Sequence, residues 1–430
     1  MFLLWVQIIN YAILRALFPC EDLTKTGLNN HAIHIAAERE WFAYGHFFIL
    51  AQQVPLMSEH STDIAIIGAG LCGLATAALL SSLGVDARVF EASKTAGGRI
   101  RSLPGPSSPD LRYDLGPAWI WPHNQRMLQL AEQLDLPLMR QHSAGNLIFQ
   151  DQTGSIRRDL AFATMGDALR IPGGLARISD GLAARLSDGT VAYQHAVTAI
   201  EQDTFGLTVS GKTPEGPFRV SCRQIILALP PRLAAARIAF LPDLVAETKQ
   251  DMSAVPTWMA GHAKLIAVYD RPFWRAQGFS GDAISHVGPL VEIHDASAEE
   301  DPQGEAALFG FVAPQEVQNT ADREAFVSRA LLQLKELFGP EAGRPAKVFL
   351  KVWAADPLVA TKRDQETLTS HPQYGPLPIV ESWHDRLFLS GTETAPENGG
   401  FLEGALEAAE RSVAWVRRHL AKSNNAVPGL

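Results

Sequence analysis

The stretch TDIAIIGAGLCGLATAALLSSLGVDARVFEAS, residues 62–93, limits what this chain can fold into more than any other. Ile64–Ile67 is a short apolar run, Gly68, Gly70 and Gly73 follow at GxGxxG spacing, and residues 74–83 carry the pattern of a helix packed on a sheet. A second apolar run then ends on Glu91. Strand, glycine loop, helix and strand in that order make a βαβ unit. Its glycines let the backbone turn tightly and come close to a bound group, and the helix that opens behind Leu71 offers exposed N–H groups and a positive dipole end to a pyrophosphate. The carboxylate of Glu91 stands where it can accept both hydroxyls of an adenosine ribose. The spacing predicts dinucleotide binding. The plainer alternative is an ordinary glycine-rich turn between strand and helix, with Cys72 as a small core residue.

A chain of 430 residues suggests two or three domains, and its apolar and charged fractions are those of a globular protein with a sizeable core. The net charge of −9 and the lack of a dense Lys/Arg run exclude a nucleic-acid surface, whose affinity comes largely from neutralising phosphates. Small molecules are the expected partners. Cys20, Cys72 and Cys222 are far apart and form no CxxC, which supports neither a disulfide framework nor a metal site and fits a cytoplasmic setting.

The N-terminal run MFLLWVQIINYAILRALFPC fits no export or anchor pattern well. A secretory signal has a basic region before its apolar core, and here the first positive charge is Arg15, inside the run. Gln7, Asn10 and Arg15 also interrupt any membrane span. Residues 1–56 are therefore expected to be an extension outside the core, with membrane contact through this segment as the disfavoured alternative.

Further along, KTAGGRIRSL places Gly97, Gly98 and Arg99 in a turn where the backbone can again approach closely and an arginine can reach a phosphate. Segments 124–137 and 173–186 read as amphipathic helices, and the segment ending in IILALPP as strands, the last apolar enough to be buried on both faces. From about 255 to 355 alternating strands and one long helix suggest a separate mixed domain, and GFLEGALEAAERSVAWVRRHL is a long helix opened by glycines. In the strand GHAKLIAVYD, alternation puts Lys264 on one face with His262, Ile266 and Val268. His262 is expected to fill space or make a local hydrogen bond, and Trp119, Trp121, Phe273, Trp274 and Trp353 to be core or cavity wall.

Taken in order, the segments IIGAGLCGLATA, FEASKTAGGRI, YDLGPAWIWPHNQRMLQLAEQL, IPGGLARISDGLA, AVTAIEQ, IILALPP, AKLIAVYDRPFW and LFLSGTETAPENGGFLEGALEAAERS resemble the flavin-containing amine oxidases, the family of monoamine and polyamine oxidases. The resemblance spans about residues 60–420. It implies an α/β fold in which an FAD-binding, Rossmann-like domain (57–120, 187–250 and 376–425) is interwoven with a mixed α+β substrate domain (121–186 and 251–375). It also implies roles by motif position. Gly68, Gly70, Leu71, Gly73, Glu91, Gly98, Arg99, Val197, Gly391, Glu393, Gly400 and Leu402 would bind FAD, with Glu91 at the ribose, Arg99 at the ribityl-phosphate region and the Val197 backbone at the adenine. Lys264 would be catalytic, holding a water against the reactive flavin nitrogen. Trp119 and Phe401 would meet the substrate.

The sequence also departs from that family. The Cys-Tyr pair that carries covalent flavin in monoamine oxidases is absent from ADPLVATKRDQETLTSHPQYG, so FAD is expected to be non-covalent. A tyrosine of the family's aromatic cage is Phe401 here. Pro117, Ala118 and Trp119 stand where an amino-acid oxidase would place an arginine for a carboxylate. The expected function is FAD-dependent oxidation of a small-molecule amine, with oxygen as acceptor and hydrogen peroxide as product. A flavin desaturase or porphyrinogen oxidase acting on a hydrophobic substrate is one alternative, and a non-catalytic FAD-binding protein another. No oligomeric state follows from the sequence.

Overall fold

The apolar run ahead of the glycines forms the strand His60–Ile67, which lies parallel to Ala87–Phe90 on one side and to the end of Gly216–Leu227 on the other. In the computed structural model, which describes residues 60–203, 206–366, 368, 370–379 and 383–425, these strands are the centre of an eight-stranded sheet. The expected extension 1–56 lies outside the described residues. Along Gly216–Leu227 exposure alternates with burial up to Arg223, and the four residues from Gln224 to Leu227 are all buried. That change marks the passage from an antiparallel pair with Leu207–Thr213 to parallel pairing with His60–Ile67 and Leu387–Leu389.

One face of this sheet is covered by the helices Leu71–Ser82 and Leu402–Asn425, whose small residues Ala77, Ala405, Ala408 and Ala409 let them approach closely over Ile64 and Ile66. The helices Gln125–Gln133 and Ala176–Ala184 bring Met127, Leu130, Ile178 and Leu182 into the same core. The sequence places residues 121–186 with the substrate half; the apolar stripes of these two helices are instead buried against the nucleotide-type sheet.

The second sheet has seven strands, ordered Lys347–Val352, Ala263–Tyr269, Ala306–Val312, Leu290–Asp295, Phe279–Ser285, Asn146–Gln150, Ile156–Leu160. Every residue of Ala263–Tyr269 is buried, because strands flank it on both edges and both faces are covered. Ala263, Leu265 and Ala267 pack toward the helix Arg323–Phe338, which Asp322 caps by accepting from the Ala325 N–H at 3.1 Å. Ile266 and Val268 face the other way, onto Tyr113, Leu115 and Phe309. Among the described residues no helix is long and apolar enough to cross a membrane, and no cluster of side chains could hold a metal ion.

Candidate active site

The glycine loop is held from both ends by hydrogen bonds. The Gly68 N–H donates to the Phe90 carbonyl at 2.8 Å, with φ at +104°, a conformation that disfavours any side chain. A Cβ on Gly73 would stand 1.9 Å from the Gly68 carbonyl oxygen, so helix and loop meet at a distance only glycine permits. Gly70 differs: a Cβ there would meet nothing within 4 Å. It is the N-cap of Leu71–Ser82, which has no side-chain cap and no acid in its first turn, so the helix's first N–H donors are left for an outside acceptor.

Glu91 closes the loop from the second strand. Its Oε2 accepts the Ala69 N–H and its Oε1 the Ser93 N–H, both at 2.7 Å. Each oxygen keeps a further lone pair for a ligand hydroxyl. The Gly-Gly-Arg turn packs on the same loop, with the Gly97 N–H donating to the Ala69 carbonyl at 2.8 Å and Gly98 at φ +58°. Arg99 then reaches Glu393, and this pair joins the start of the chain's fold to its end.

Leu402–Asn425 begins at the same place. Gly399 and Gly400 precede it, and Cβ atoms on them would stand 2.5 Å from Tyr374 Cβ and 2.8 Å from His371 Nε2. These glycines therefore allow the 371–374 segment to cross directly over the helix start. Two helix N-termini, at Leu71 and at Leu402, thus border one cavity of about 650 Å³.

Lys264 also lines that cavity although only 2 % of its surface is exposed. Its Nζ donates to the Gly116 carbonyl at 3.1 Å and lies 3.8 Å from the centroid of the Phe309 ring. Burial lowers the pKa of this ammonium to about 7; Asp114 opposes the shift and Arg170 adds to it. Near neutral pH the amine can therefore hold or release a proton.

Of the residues singled out from sequence, Gly68, Gly70, Leu71, Glu91, Gly98, Arg99, Trp119, Lys264, Gly391, Glu393, Gly400, Phe401 and Leu402 all line this cavity. Gly73 sits behind the loop, and Val197 is not among the lining residues; it pairs with Gly211 two positions beyond His195, whose N–H donates to the Glu91 carbonyl at 2.8 Å. Trp119 is held by its Nε1 donating to Gln141 Oε1 at 2.9 Å and stands edge-on to His294. Phe401 is half exposed and stacks flat on His371, with centroids 4.8 Å apart and an interplanar angle of 3°. Trp121 and Trp353 are cavity wall, while Phe273 and Trp274 are core.

Two contributors escaped the sequence. Trp258 and Met259, just before the lysine strand, line the cavity, and Met259 has φ +62°. His262, expected to fill space or make a local hydrogen bond, lines it too, and its Nε2 is buried without a hydrogen-bond partner among the described residues. The aromatic and histidine content of PTWMAGH was the available signal.

Comparison with known proteins agrees with this architecture. A probable flavin-containing monoamine oxidase A of Dictyostelium discoideum is 30 % identical over 260 residues, 59 % of this chain and 54 % of that protein. The chain thus spans about half of that relative's length. Amine oxidase [flavin-containing] B of Cavia porcellus is 24 % identical, with 84 % of this chain and 87 % of that protein covered. Among solved structures, putrescine oxidase bound to putrescine superposes with a TM-score of 0.69 at 19 % identity, covering 83 % of this chain and 99 % of that one. Cyclohexylamine oxidase from Brevibacterium oxydans gives 0.66 at 18 %, covering 84 % and 99 %; at these identities the likeness speaks for the fold. The family model for flavin containing amine oxidoreductases matches residues 71–161 and 145–416. By that match across most of its length, this chain belongs to the flavin containing amine oxidoreductase family.

Proposed function

We propose that the protein oxidises a small amine with a non-covalently held FAD and passes the electrons to oxygen. The observation that carries this is the convergence of two helix N-termini and the buried Lys264 on one cavity. The residues fit the cofactor. Gly70 leaves open space at an uncapped helix end, which suits a pyrophosphate, and Glu91 has lone pairs to spare for the ribose. Val197 would meet the adenine through its backbone, Arg99 has N–H donors beyond the two that Glu393 takes, and Gly391, Gly400 and Leu402 would border the flavin. Of the described cysteines, Cys222 is buried in the first sheet and Cys72 is buried at the phosphate end, in contact with Ser390 Oγ at 3.0 Å. Neither supplies a thiolate to the flavin end, since burial raises both thiols above their ordinary range.

When bound, FAD would supply the redox chemistry, as acceptor of a hydride equivalent from the carbon next to the amine and donor of those electrons to oxygen, with an aldehyde (through imine hydrolysis) and hydrogen peroxide as products. The chain positions and dries the site. Trp119, Phe401 and Trp258 form apolar walls that hold an amine's carbon skeleton, and no arginine stands at 117–119 to hold a substrate carboxylate. Lys264 Nζ keeps a proton-exchanging group at the reacting face, where it would orient a water.

A peroxide assay over an amine panel, run beside acid precipitation, tests this. Peroxide with one or more amines and intact FAD in the supernatant is expected. Peroxide only with a hydrophobic polyene or porphyrinogen would favour the desaturase-type alternative, and flavin retained in the pellet would overturn non-covalent binding.

A further inference from the structure

His262 stands in a wall between two spaces. One is the reaction cavity, which it borders beside Met259 and Lys264. The other is a small chamber of about 10 Å³, whose polar border of Arg232, Thr257, His262, Asp364 and Glu366 is completed by Pro256, Met259, Gly261 and Leu368. Both His262 Nε2 and Thr257 Oγ1 are buried and have no hydrogen-bond partner among the described residues. Buried polar groups are nearly always paired, and leaving one unpaired costs about 1–3 kcal/mol. Two residues that carry such atoms border one chamber, which points to a shared ligand, and a volume of that size is that of a single water.

The rest of the chamber is already satisfied. Asp364 Oδ1 accepts from Arg232 at 2.5 Å and from the Thr257 N–H at 3.3 Å, while its Oδ2 accepts from Thr361 twice. Arg232 also donates to the Ser253 and Ala254 carbonyls. Glu366, by contrast, is exposed at the chamber's border.

We propose that this chamber binds one water between Thr257 Oγ1 and His262 Nε2, and that His262 is the proton acceptor that converts the substrate ammonium to the reactive amine. This rests on the amine-oxidising function proposed above. An ammonium has no lone pair with which to expel a hydride, so its proton must leave first. One N–H bond of the ammonium breaks, the electron pair stays on that nitrogen, and the proton bonds to His262 Nδ1. The Nε2–H bond then breaks and its proton passes to the water and on to Glu366 or solvent. Nothing is oxidised or reduced in this step. Burial lowers the His262 pKa, so the resting ring is neutral with an acceptor nitrogen, and a proton it takes is passed on rather than held. The charged groups around it leave that intact: Lys264 turns its Nζ toward Gly116 and Phe309, Asp356 is paired with Lys351, and Arg232 with Asp364.

The test uses the holoenzyme. A crystal structure should show one ordered water within about 2.7–3.2 Å of both atoms, lost in Thr257→Val; a chamber without water density overturns the site. In anaerobic stopped flow, His262→Gln with a normal flavin spectrum should reduce its flavin on the order of 100-fold more slowly at neutral pH and approach the wild-type rate where the amine is already neutral. Thr257→Val should show the same pH-dependent loss in smaller degree, and it decides the matter if His262→Gln does not fold. Wild-type pH profiles in both variants overturn the relay, and a rate lowered equally at every pH does so as well. A wild-type flavin that no amine reduces would overturn the function itself, a distinct outcome.

Discussion

The Arg99 guanidinium holds the Glu393 carboxylate with two hydrogen bonds, NH1 to Oε1 at 2.6 Å and NH2 to Oε2 at 3.1 Å, across 294 positions of sequence. Glu393 has no exposed side-chain surface. Removing one partner of such a pair leaves an unpaired charge and costs about 3–5 kcal/mol. Arg99→Ala strands the fully buried Glu393 carboxylate and should therefore lower the melting temperature of the apoprotein by several degrees, and Glu393→Ala by less, because the Arg99 side chain it leaves unpaired is 28 % exposed. Equal and negligible shifts in both would mean that the pair contributes nothing.

Glu91→Ala removes the acceptor for the Ala69 and Ser93 N–H groups together with the proposed ribose contact. Charge-assisted bonds contribute about 1.5–3 kcal/mol each, so FAD affinity should fall at least tenfold. Equilibrium titration of apoprotein with FAD measures this, and an unchanged Kd would remove Glu91 from the cofactor site.

Gly73→Ala has no room. Its Cβ would meet the Gly68 carbonyl oxygen at 1.9 Å, and that oxygen belongs to backbone, which cannot swing aside as a flexible side chain can. The variant should purify with little flavin and a lowered melting temperature, whereas Gly70→Ala should fold normally, because its Cβ faces open space, and lose mainly FAD affinity. Comparable folding and flavin content in Gly73→Ala and wild type would contradict the packing described.

Lys264 gives a pH signature. Its folded pKa of about 7 lies below the unfolded value of about 10.4. Between those values the unfolded chain binds the extra proton, so stability rises with pH across that window and the full penalty applies below it. Lys264→Met should therefore be more stable than wild type at pH 6, by on the order of 2–4 kcal/mol, with the advantage gone near pH 10. The lost bond to Gly116 offsets part of this gain. Melting curves at both pH values decide it, and stopped-flow half-reactions should show slower flavin reduction or reoxidation in the same variant.

Local signals were legible in the sequence because short-range chemistry makes them. The strand before Gly68, the glycine spacing, the acid at Glu91 and the apolar end of Gly216–Leu227 all follow from neighbours a few residues away. The Lys264 strand was legible as well, since alternation alone separates Lys264, Ile266 and Val268 from Ala263, Leu265 and Ala267. What depends on tertiary contact was not. The helices Gln125–Gln133 and Ala176–Ala184 are amphipathic in any setting, and only packing shows which sheet they cover. His262 looked local because its cavity is built by segments 256–259 and 364–366 together. Phe401 was recognisable as a ring, but its flat stack on His371 arises from the glycines at 399 and 400.

Anaerobic mixing of the purified yellow protein with a panel of primary and secondary amines, followed by the visible flavin absorbance, tests amine oxidation most directly. At least one amine should bleach the flavin, and admitting air should restore the colour with one hydrogen peroxide released per flavin reoxidised. A flavin that stays oxidised with every amine while dithionite reduces it fully would contradict the proposed function.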